Sequence, residues 1–345
     1  MNRLVYAAVA LVAGSLVSLV TVPVVRRWAL RAAMDVPTDR SSHTVPTPRG
    51  GGIPIALTAA LAAAAISLFT DDLHGGAVWG VILLAVAIIG LIDDTRGLGT
   101  TVRFGVQIGA AITAVVFVGR FESVVIPGLQ DPFDLPWVVG AVLATVWIVG
   151  LTNAYNFMDG IDGLTGCQGA IAGLAWTALL VSRGDGVVAL VPALVAGACL
   201  GFLRFNWHPA SIFMGDVAST TLGLFFATLG LAVRGDSPEI PVVAFVFVAP
   251  FVLDATFTFT RRLVKGENVL RPHRTHIYQR LVVSGLSHAR VTVIFAAYMV
   301  VAAVVGIFWY RGSLPSIALG AATFAPFVAL VAWTSMRERR YAKKG

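Results

Sequence analysis

Long apolar runs recur along the whole of this 345-residue chain and restrict what it can fold into. Each run holds about 17 to 25 residues, the length that an α-helix needs to cross roughly 30 Å of hydrocarbon. Charged residues make up only 12% of the chain, about half the fraction that is typical of a soluble domain. Short segments of alternating hydrophobicity, which would indicate barrel strands, are absent from the sequence. The sequence therefore predicts an all-α, polytopic integral membrane protein.

Eleven transmembrane helices are predicted, and the charges between them indicate the sidedness of the chain. The spans cover about residues 4–25, 52–70, 76–92, 103–119, 136–152, 167–182, 186–203, 217–233, 241–259, 289–310 and 314–335. If the loop over residues 26–51 is cytoplasmic, 20 of the 25 lysines and arginines lie on the cytoplasmic side. Because cytoplasmic loops carry an excess of Lys and Arg, we expect the N-terminus outside and the C-terminus in the cytoplasm.

One membrane-embedded domain over residues 1–345 is predicted, with no soluble domain attached. The apolar run over residues 1–25 is too long for a signal peptide and is followed by Arg26-Arg27, so we expect a retained first helix. The cytoplasmic loops hold most of the unusual residues, and rigid scaffolds commonly carry their functional residues on loops. We expect the functional site in the loops at about residues 35–52, 92–103, 152–167, 204–217 and 260–290.

Acidic residues lie at or near the ends of the apolar spans, mostly on the predicted cytoplasmic side. They are Asp93, Asp94, Asp159, Asp162, Asp216 and Asp254. A carboxylate at membrane depth is costly and needs a compensating charge. Several carboxylates that converge suggest a divalent cation and a phosphorylated ligand. A solvated acidic helix end is the alternative for an isolated pair, as Asp71-Asp72 on the outer side illustrates.

Amides and carboxylates alternate with glycine in the segment NAYNFMDGIDGL, residues 153–164. Glycine follows both Asp159 and Asp162 and allows the backbone to approach a ligand closely. The amides of Asn153 and Asn156, together with these carboxylates, suit a nucleoside and a metal-bound phosphate. The alternative is a polar turn with helix caps.

The segment FNWHPASIFMGD, residues 205–216, precedes another apolar span. Asp216 lies where a helix would begin, so a helix N-cap is an alternative to ligand binding. Phe213, three residues earlier, has the aromatic face needed to stack on a base. Because the other polar loops are predicted on the same side of the membrane, ligand binding by Asn206, Phe213 and Asp216 is favoured over capping and packing.

Two further loops are basic. His273, Arg274, His276 and Arg280 combine cations with hydrogen-bond donors, which suits a pyrophosphate or a lipid phosphate. The alternatives there are a zinc site, which no cysteine supports, and a plain basic loop. Arg49 and three glycines form PRGGG at residues 48–52, after His43. This second loop is either a backbone cradle for phosphate or a flexible start of a helix.

In this order, the five loops resemble those of the bacterial polyprenyl-phosphate N-acetylhexosamine-1-phosphate transferases, glycosyltransferase family 4. The resemblance spans about residues 35–290, and the segments 153–164 and 205–216 are its most specific part. The count of eleven spans and the segments around residues 40–52 and 273–280 are similar to the undecaprenyl-phosphate N-acetylglucosamine-1-phosphate and O-antigen-initiating branch. Gly97 stands where the peptidoglycan branch has Lys, and Tyr278-Gln279 replaces its adjacent histidines, which argues against the peptidoglycan substrate.

This resemblance implies an activity, a cofactor and a set of site residues. Sugar-1-phosphate would pass from a UDP-N-acetyl sugar to undecaprenyl phosphate, releasing UMP, in the bacterial cytoplasmic membrane. Mg²⁺, with Mn²⁺ as the alternative, would be held by Asp216 and Asp159. A homodimer fits the family, and no nucleic-acid partner is expected. The implied catalytic residues are Asp93, Asp94 and Asp216; the implied substrate-binding residues are His43, Arg49, Asn153, Asn156, Asp159, Asp162, Asn206, Phe213, His273, Arg274, His276 and Arg280.

The residues alone leave two other classes of membrane protein open. A lipid-linked sugar transporter or flippase would place polar residues near the bilayer midplane, in broken helices. An intramembrane prenyltransferase would use Asp and Mg²⁺ on helices at i, i+4 spacing. Here the polar residues lie in loops on one face, and Gly160 and Gly163 make residues 159–163 a poor helix. Both observations favour the transferase.

Overall fold

The computed structural model describes residues 2–37, 45–69, 75–129, 131–233, 237–269 and 273–341, and it is almost wholly helical there. Its helices are α1 (Asn2–Ala32), α2 (Ile53–Ile66), α3 (Gly76–Arg96), α4 (Thr100–Phe117), α5 (Trp137–Met158), α6 (Leu164–Arg183), α7 (Leu190–Asn206), α8 (Asp216–Ala232), α9 (Ile240–Val246), α10 (Ala249–Val264), α11 (Ile277–Val283), α12 (His288–Tyr310) and α13 (Ser316–Tyr341). Two antiparallel pairs of two-residue strands complete it: β1 (Met34–Asp35) with β2 (Thr47–Pro48), and β3 (Ser123–Val124) with β4 (Phe133–Asp134).

Seven of the described helices are long and apolar enough to cross a membrane. They are α1, α3, α4, α5, α6, α12 and α13. Helices α9 and α10 pass the same test only as a pair, and α2, α7 and α8 are apolar but shorter. The prediction of an all-α polytopic membrane protein is therefore confirmed. Each of the eleven predicted spans overlaps a helix or the bent pair, whereas the number of membrane crossings and the orientation of the termini stay predictions.

The predicted span over residues 241–259 is bent where the sequence suggested one straight helix. Helices α9 and α10 meet at an angle of 75° across a break at Phe247 and Val248. Pro250 lies in the first turn of α10 and has no amide to donate back across the break. The bend directs the start of α10 away from the axis of α9.

Small residues allow α1 and α7 to pack closely. A Cβ atom at Gly14 would fall on the backbone carbonyl of Leu194, and one at Gly197 would fall on the carbonyl of Leu11. Small residues at helix interfaces permit this approach inside membranes, where packing rather than the hydrophobic effect drives association. The contact therefore depends on glycine at both positions.

Helix α8 lies at the centre of the molecule, and α3 packs against it with the opposite direction. Residues 217–232 of α8 are all buried. Trp79, near the start of α3, stacks on Phe225 with ring centroids 5.6 Å apart, and its indole donates to the Thr228 hydroxyl at 2.7 Å. Near the other end of α3, a Cβ at Gly90 would meet the backbone of Asp216. This packing brings the C-terminal end of α3 beside the N-terminus of α8.

Candidate active site

The carboxylate of Asp94 caps the N-terminus of α8. Its two oxygens accept hydrogen bonds from the amides of Asp216 (2.9 Å) and Val217 (3.1 Å). Gly215 has a φ of +82° there, and a Cβ atom on it would overlap the Asp94 carboxylate. A carboxylate at a helix N-terminus satisfies amides that have no partner within the helix. Because Asp94 supplies the cap, the carboxylate of Asp216 does not cap its own helix.

A single guanidinium joins Asp93 to Asp216. Arg103 Nη1 lies 2.8 Å from Asp93 Oδ2 and 3.2 Å from Asp216 Oδ2. The second oxygen of Asp93 accepts from the amide of Leu98. Sequence reasoning did not select Arg103 as a site residue. Its position in the first turn of the helix after the acidic pair was the available signal.

Asp159 joins these acids from the C-terminal end of α5. Its carboxyl interacts electrostatically with Asp216 and Asp94. Burial raises the pKa of Asp159 well above its usual range, and the charges of those two residues act in the same direction. Arg49 interacts with Asp216 and Asp94 as well. We call Asp93, Asp94, Asp159 and Asp216 the carboxylate cluster.

Asn156 lies between α5 and α8, near the cluster. Its amide nitrogen donates to the hydroxyl of Ser219 at 3.2 Å, in the first turns of α8. Asn153, one turn earlier, donates instead to Gln107 Oε1 on α4 (2.7 Å) and to its own helix. Both amides therefore join helices, and their roles in substrate binding stay predictions.

The glycines of the PRGGG loop allow two backbones to pair. The amides of Gly51 and Gly52 donate to the carbonyls of Phe213 (2.9 Å) and Met214 (3.0 Å), and the Phe213 amide donates to Pro48 (2.8 Å). A Cβ at Gly52 would overlap the side chain of Ala218. Two of the amides expected for a phosphate cradle are thus already used. The pairing places the partly exposed ring of Phe213 next to this loop.

Arg49 and His43 were the other two site residues predicted in this segment. Arg49 Nη2 forms an ion pair with Asp35 Oδ2 at 2.8 Å, across the β1–β2 pair. The Arg49 side chain remains 41% exposed, so it is still accessible from solvent. His43 lies outside the described residues.

Asp162 contacts two histidines and is not part of the carboxylate cluster. Its oxygens lie 2.6 Å from His208 Nδ1 and 3.3 Å from His288 Nδ1, and it accepts from the Ala210 amide at 3.2 Å. Burial tends to raise the pKa of Asp162, but hydrogen bonds from His288 and His208 outweigh it and leave this pKa below its usual value. Asn206 braces the same loop, since it accepts from the Gly163 amide at 3.0 Å.

Among the described residues, the cluster of Asp162, His208 and His288 has side chains close enough to hold a metal ion. Its two imidazoles suit a zinc-like metal better than Mg²⁺, which prefers oxygen ligands. The 2.6 Å contact of Asp162 with His208 already uses one ligand atom of each residue in a hydrogen bond. Sequence reasoning missed both histidines as partners of Asp162, although His208 lies within one of the two specific motifs.

In the basic loop, the rings of His273 and His276 stack with centroids 5.1 Å apart. Burial, then the charges of His276 and Arg262, lowers the pKa of His273 to about 4. Arg274 is exposed, whereas Arg280 forms two hydrogen bonds, 2.7 and 2.6 Å long, to Glu338 on α13. Arg280 therefore joins α11 to α13, and phosphate binding by this loop stays a prediction.

Comparison with known proteins places these motifs in a family. The profile of glycosyl transferase family 4 matches residues 77–234, which include the whole carboxylate cluster. A Bacillus subtilis protein named probable undecaprenyl-phosphate N-acetylglucosaminyl 1-phosphate transferase is 34% identical over 295 residues, which cover 83% of this chain and 80% of the relative. The decaprenyl-phosphate N-acetylglucosaminephosphotransferase of Mycobacterium tuberculosis is 32% identical, over 94% of this chain and 88% of the relative.

A member of the peptidoglycan branch is similar over a shorter stretch. The phospho-N-acetylmuramoyl-pentapeptide-transferase of Shouchella clausii is 33% identical over 281 residues, covering 76% of this chain and 83% of the relative. The resemblance carried by the loop motifs is thereby confirmed, and this chain belongs to glycosyl transferase family 4.

Proposed function

We propose that this protein transfers an N-acetylhexosamine-1-phosphate from a UDP-sugar to undecaprenyl phosphate, giving undecaprenyl-diphospho-sugar and UMP. The observation that carries the proposal is the carboxylate cluster, which three separate loops assemble at the end of α3, α5 and the start of α8. Two of the relatives are named as N-acetylglucosamine phosphate transferases that act on undecaprenyl or decaprenyl phosphate, and the third is named as a phospho-N-acetylmuramoyl-pentapeptide-transferase. The UDP donor and the choice of undecaprenyl are inferences for this chain.

The proposed reaction exchanges one phosphorus–oxygen bond for another. An oxygen of the lipid phosphate attacks the β-phosphorus of the nucleotide sugar, and the bond from that phosphorus to the UMP oxygen breaks. A phosphate monoester has a second pKa near 6, so most of the lipid phosphate is already dianionic at pH 7. A general base then contributes little. We therefore propose that Asp93, which is held by Arg103, positions groups in the site rather than removing a proton.

The carboxylate cluster offers the type of ligand that a hard divalent cation prefers. Its donors are carboxylate oxygens, the ligand type that Mg²⁺ prefers, and its charges repel one another. Both oxygens of Asp94 already accept from amides of α8, so Asp216 and Asp159 are the residues that would hold the ion. Bound Mg²⁺ would neutralise charge on the diphosphate and on the leaving UMP, and Mn²⁺ would serve the same purpose.

The membrane location suits both substrates. The basic loop and the carboxylate cluster follow the cytoplasmic ends of the predicted spans, where a water-soluble nucleotide sugar and a lipid head group meet. The polyprenyl chain would approach sideways, between helices. We accordingly propose one membrane domain in the bacterial cytoplasmic membrane, with its site built from the five cytoplasmic loops.

The test is UMP release by the purified protein with undecaprenyl phosphate, Mg²⁺ and a panel of UDP-N-acetyl sugars. We expect release that depends on both lipid and Mg²⁺ and that is lost in Asp216→Asn. Asp131→Asn, at an exposed acid in the segment between α4 and α5, is the matched control and should retain activity. Failure of the folded wild-type protein to release UMP with any donor would overturn the proposal and favour a lipid-linked sugar transporter.

A further inference from the structure

Asp254 is a completely buried acid on α10 for which the proposed reaction has no use. Its residue exposure is 0%, so its carboxylate cannot touch a substrate. Within the hydrophobic domain such a group must be compensated by partners, because an isolated buried charge is very costly. Its partners therefore indicate what it does.

Three of those partners come from the basic loop. Asp254 Oδ1 lies 3.1 Å from His276 Nδ1 and accepts from the Ile277 amide at 3.0 Å, while Oδ2 accepts from the Tyr278 amide at 3.2 Å. The two amides belong to the first turn of α11, which has no partners for them within the helix. A fourth hydrogen bond comes from Thr258, one turn along α10. Asp254 thus fixes the loop to α10 at the point where α11 begins.

The same contacts determine how the ring of His276 is presented. Asp254 Oδ1 lies within hydrogen-bond distance of His276 Nδ1, so the carboxylate holds this edge of the ring. His273 and Tyr278 flank the ring with centroids 5.1 and 5.8 Å away, which restricts its rotation.

The loop held in this way reaches the end of α5. The Tyr278 hydroxyl donates to the carbonyl of Phe157 at 2.8 Å, and the rings of Phe157 and His276 lie 6.1 Å apart. Phe157 is two residues before Asp159, a member of the carboxylate cluster. His276 therefore lies beside the C-terminal end of α5, which Asp159 of the carboxylate cluster directly follows.

We propose that Asp254 is a positioning residue, which orients His276 and the basic loop toward the phosphate groups of the substrates. The proposal rests on the proposed transferase function. Misplacing a substrate-binding group by about 1 Å can lower a rate by roughly 100-fold. An effect of that size is therefore expected when the Asp254 contact is altered, although Asp254 itself never reaches the substrate.

A double-mutant cycle tests whether Asp254 acts through His276. Asp254→Asn and His276→Gln should each lower kcat for UMP release by about 100-fold, with smaller changes in KM. The double variant should lose no more than about twofold beyond either single variant, because residues that act as a unit are not additive. Thr258→Val is the control: it removes another hydrogen bond to Asp254 on α10 but leaves the loop contacts in place, and it should retain kcat within about threefold.

Limited trypsin digestion provides a readout that does not depend on activity. Arg274 is exposed in the loop, and its cleavage should be faster in Asp254→Asn than in wild type or Thr258→Val. The positioning role would be overturned if the double variant lost kcat by the product of the two single losses. It would also be overturned if Asp254→Asn and Thr258→Val lowered kcat equally. If the wild-type protein releases no UMP, the proposed function fails, whatever the trypsin result. If trypsin cleaves Asp254→Asn no faster than wild type, Asp254 does not anchor the loop, whatever the activity.

Discussion

The carboxylate cluster and the Asp254 region both place acids near the ends of apolar helices, yet they satisfy those acids differently. Asp254 is buried completely and receives hydrogen bonds from a histidine, two amides and a hydroxyl. In the cluster, Arg103 bridges Asp93 and Asp216, while the pKa of Asp159 is raised by burial and by neighbouring carboxylates. The donors to Asp254 all come from the packed fold around it, whereas Asp159 lies among carboxylates that oppose its ionisation, as expected of a residue that we propose holds a cation.

The largest expected effect in this comparison is the loss of activity in Asp216→Asn. We expect kcat to fall by about 1,000-fold, the scale seen when a group that stabilises transition-state charge is removed. Thermal unfolding in detergent should change little, because the amide of residue 216 still donates to Asp94. The rate is measured as UMP release. Retention of more than a tenth of the wild-type rate would place the essential charge elsewhere in the cluster.

Asp254→Ala should lower the free energy of unfolding as well as kcat, whereas Asp216→Asn should lower kcat alone. It would leave His276 and two amides of α11 without their buried acceptor, which costs about 3 kcal/mol when one partner of a buried polar group is deleted. SDS titration monitored by tryptophan fluorescence measures the change. Asp216→Ala is the comparison variant, and a destabilisation equal to that of Asp254→Ala would erase the distinction between the two regions.

Asp93→Asn sharpens the comparison within the cluster. If Asp93 holds Arg103 and does not act as a base, kcat should fall by about tenfold at every pH between roughly 6 and 9. The pH–rate profiles of the variant and of wild type should then be parallel. Recovery of activity at high pH would instead identify Asp93 as the group that deprotonates the lipid phosphate.

The smallest expected effect concerns His273. Its pKa in the folded protein, about 4, lies below the ordinary value of 6.5, so the unfolded chain binds a proton that the folded protein does not bind over that interval. Stability should therefore fall as pH falls from about 6.5 toward 4. His273→Gln should reduce that slope, measured by thermal unfolding at a series of pH values. An unchanged slope would show that other groups produce it.

Arg280 shows where sequence reasoning reached its limit. The sequence placed it among cations suited to phosphate, but the structure pairs it with Glu338, which lies 58 residues further along the chain. The charge of a side chain can be read from the sequence, whereas its partner depends on which helix packs against it. For the same reason, Asp254 was noticed as an acid near a span end, but its contact with His276 was not predicted.

The sequence by itself determined the apolar helices, the family, and the loops that carry Asp93, Asp94, Asp159 and Asp216, because hydrophobic length and turn residues are local properties. It did not determine which charges neutralise each other. Asp94 caps a helix that begins 122 residues later, and Arg103 bridges two acids from different helices. Those contacts exist only because α3 packs on α8 through Trp79 and Gly90. The site was thus decided by helix packing, which brings together charges that are far apart in the chain.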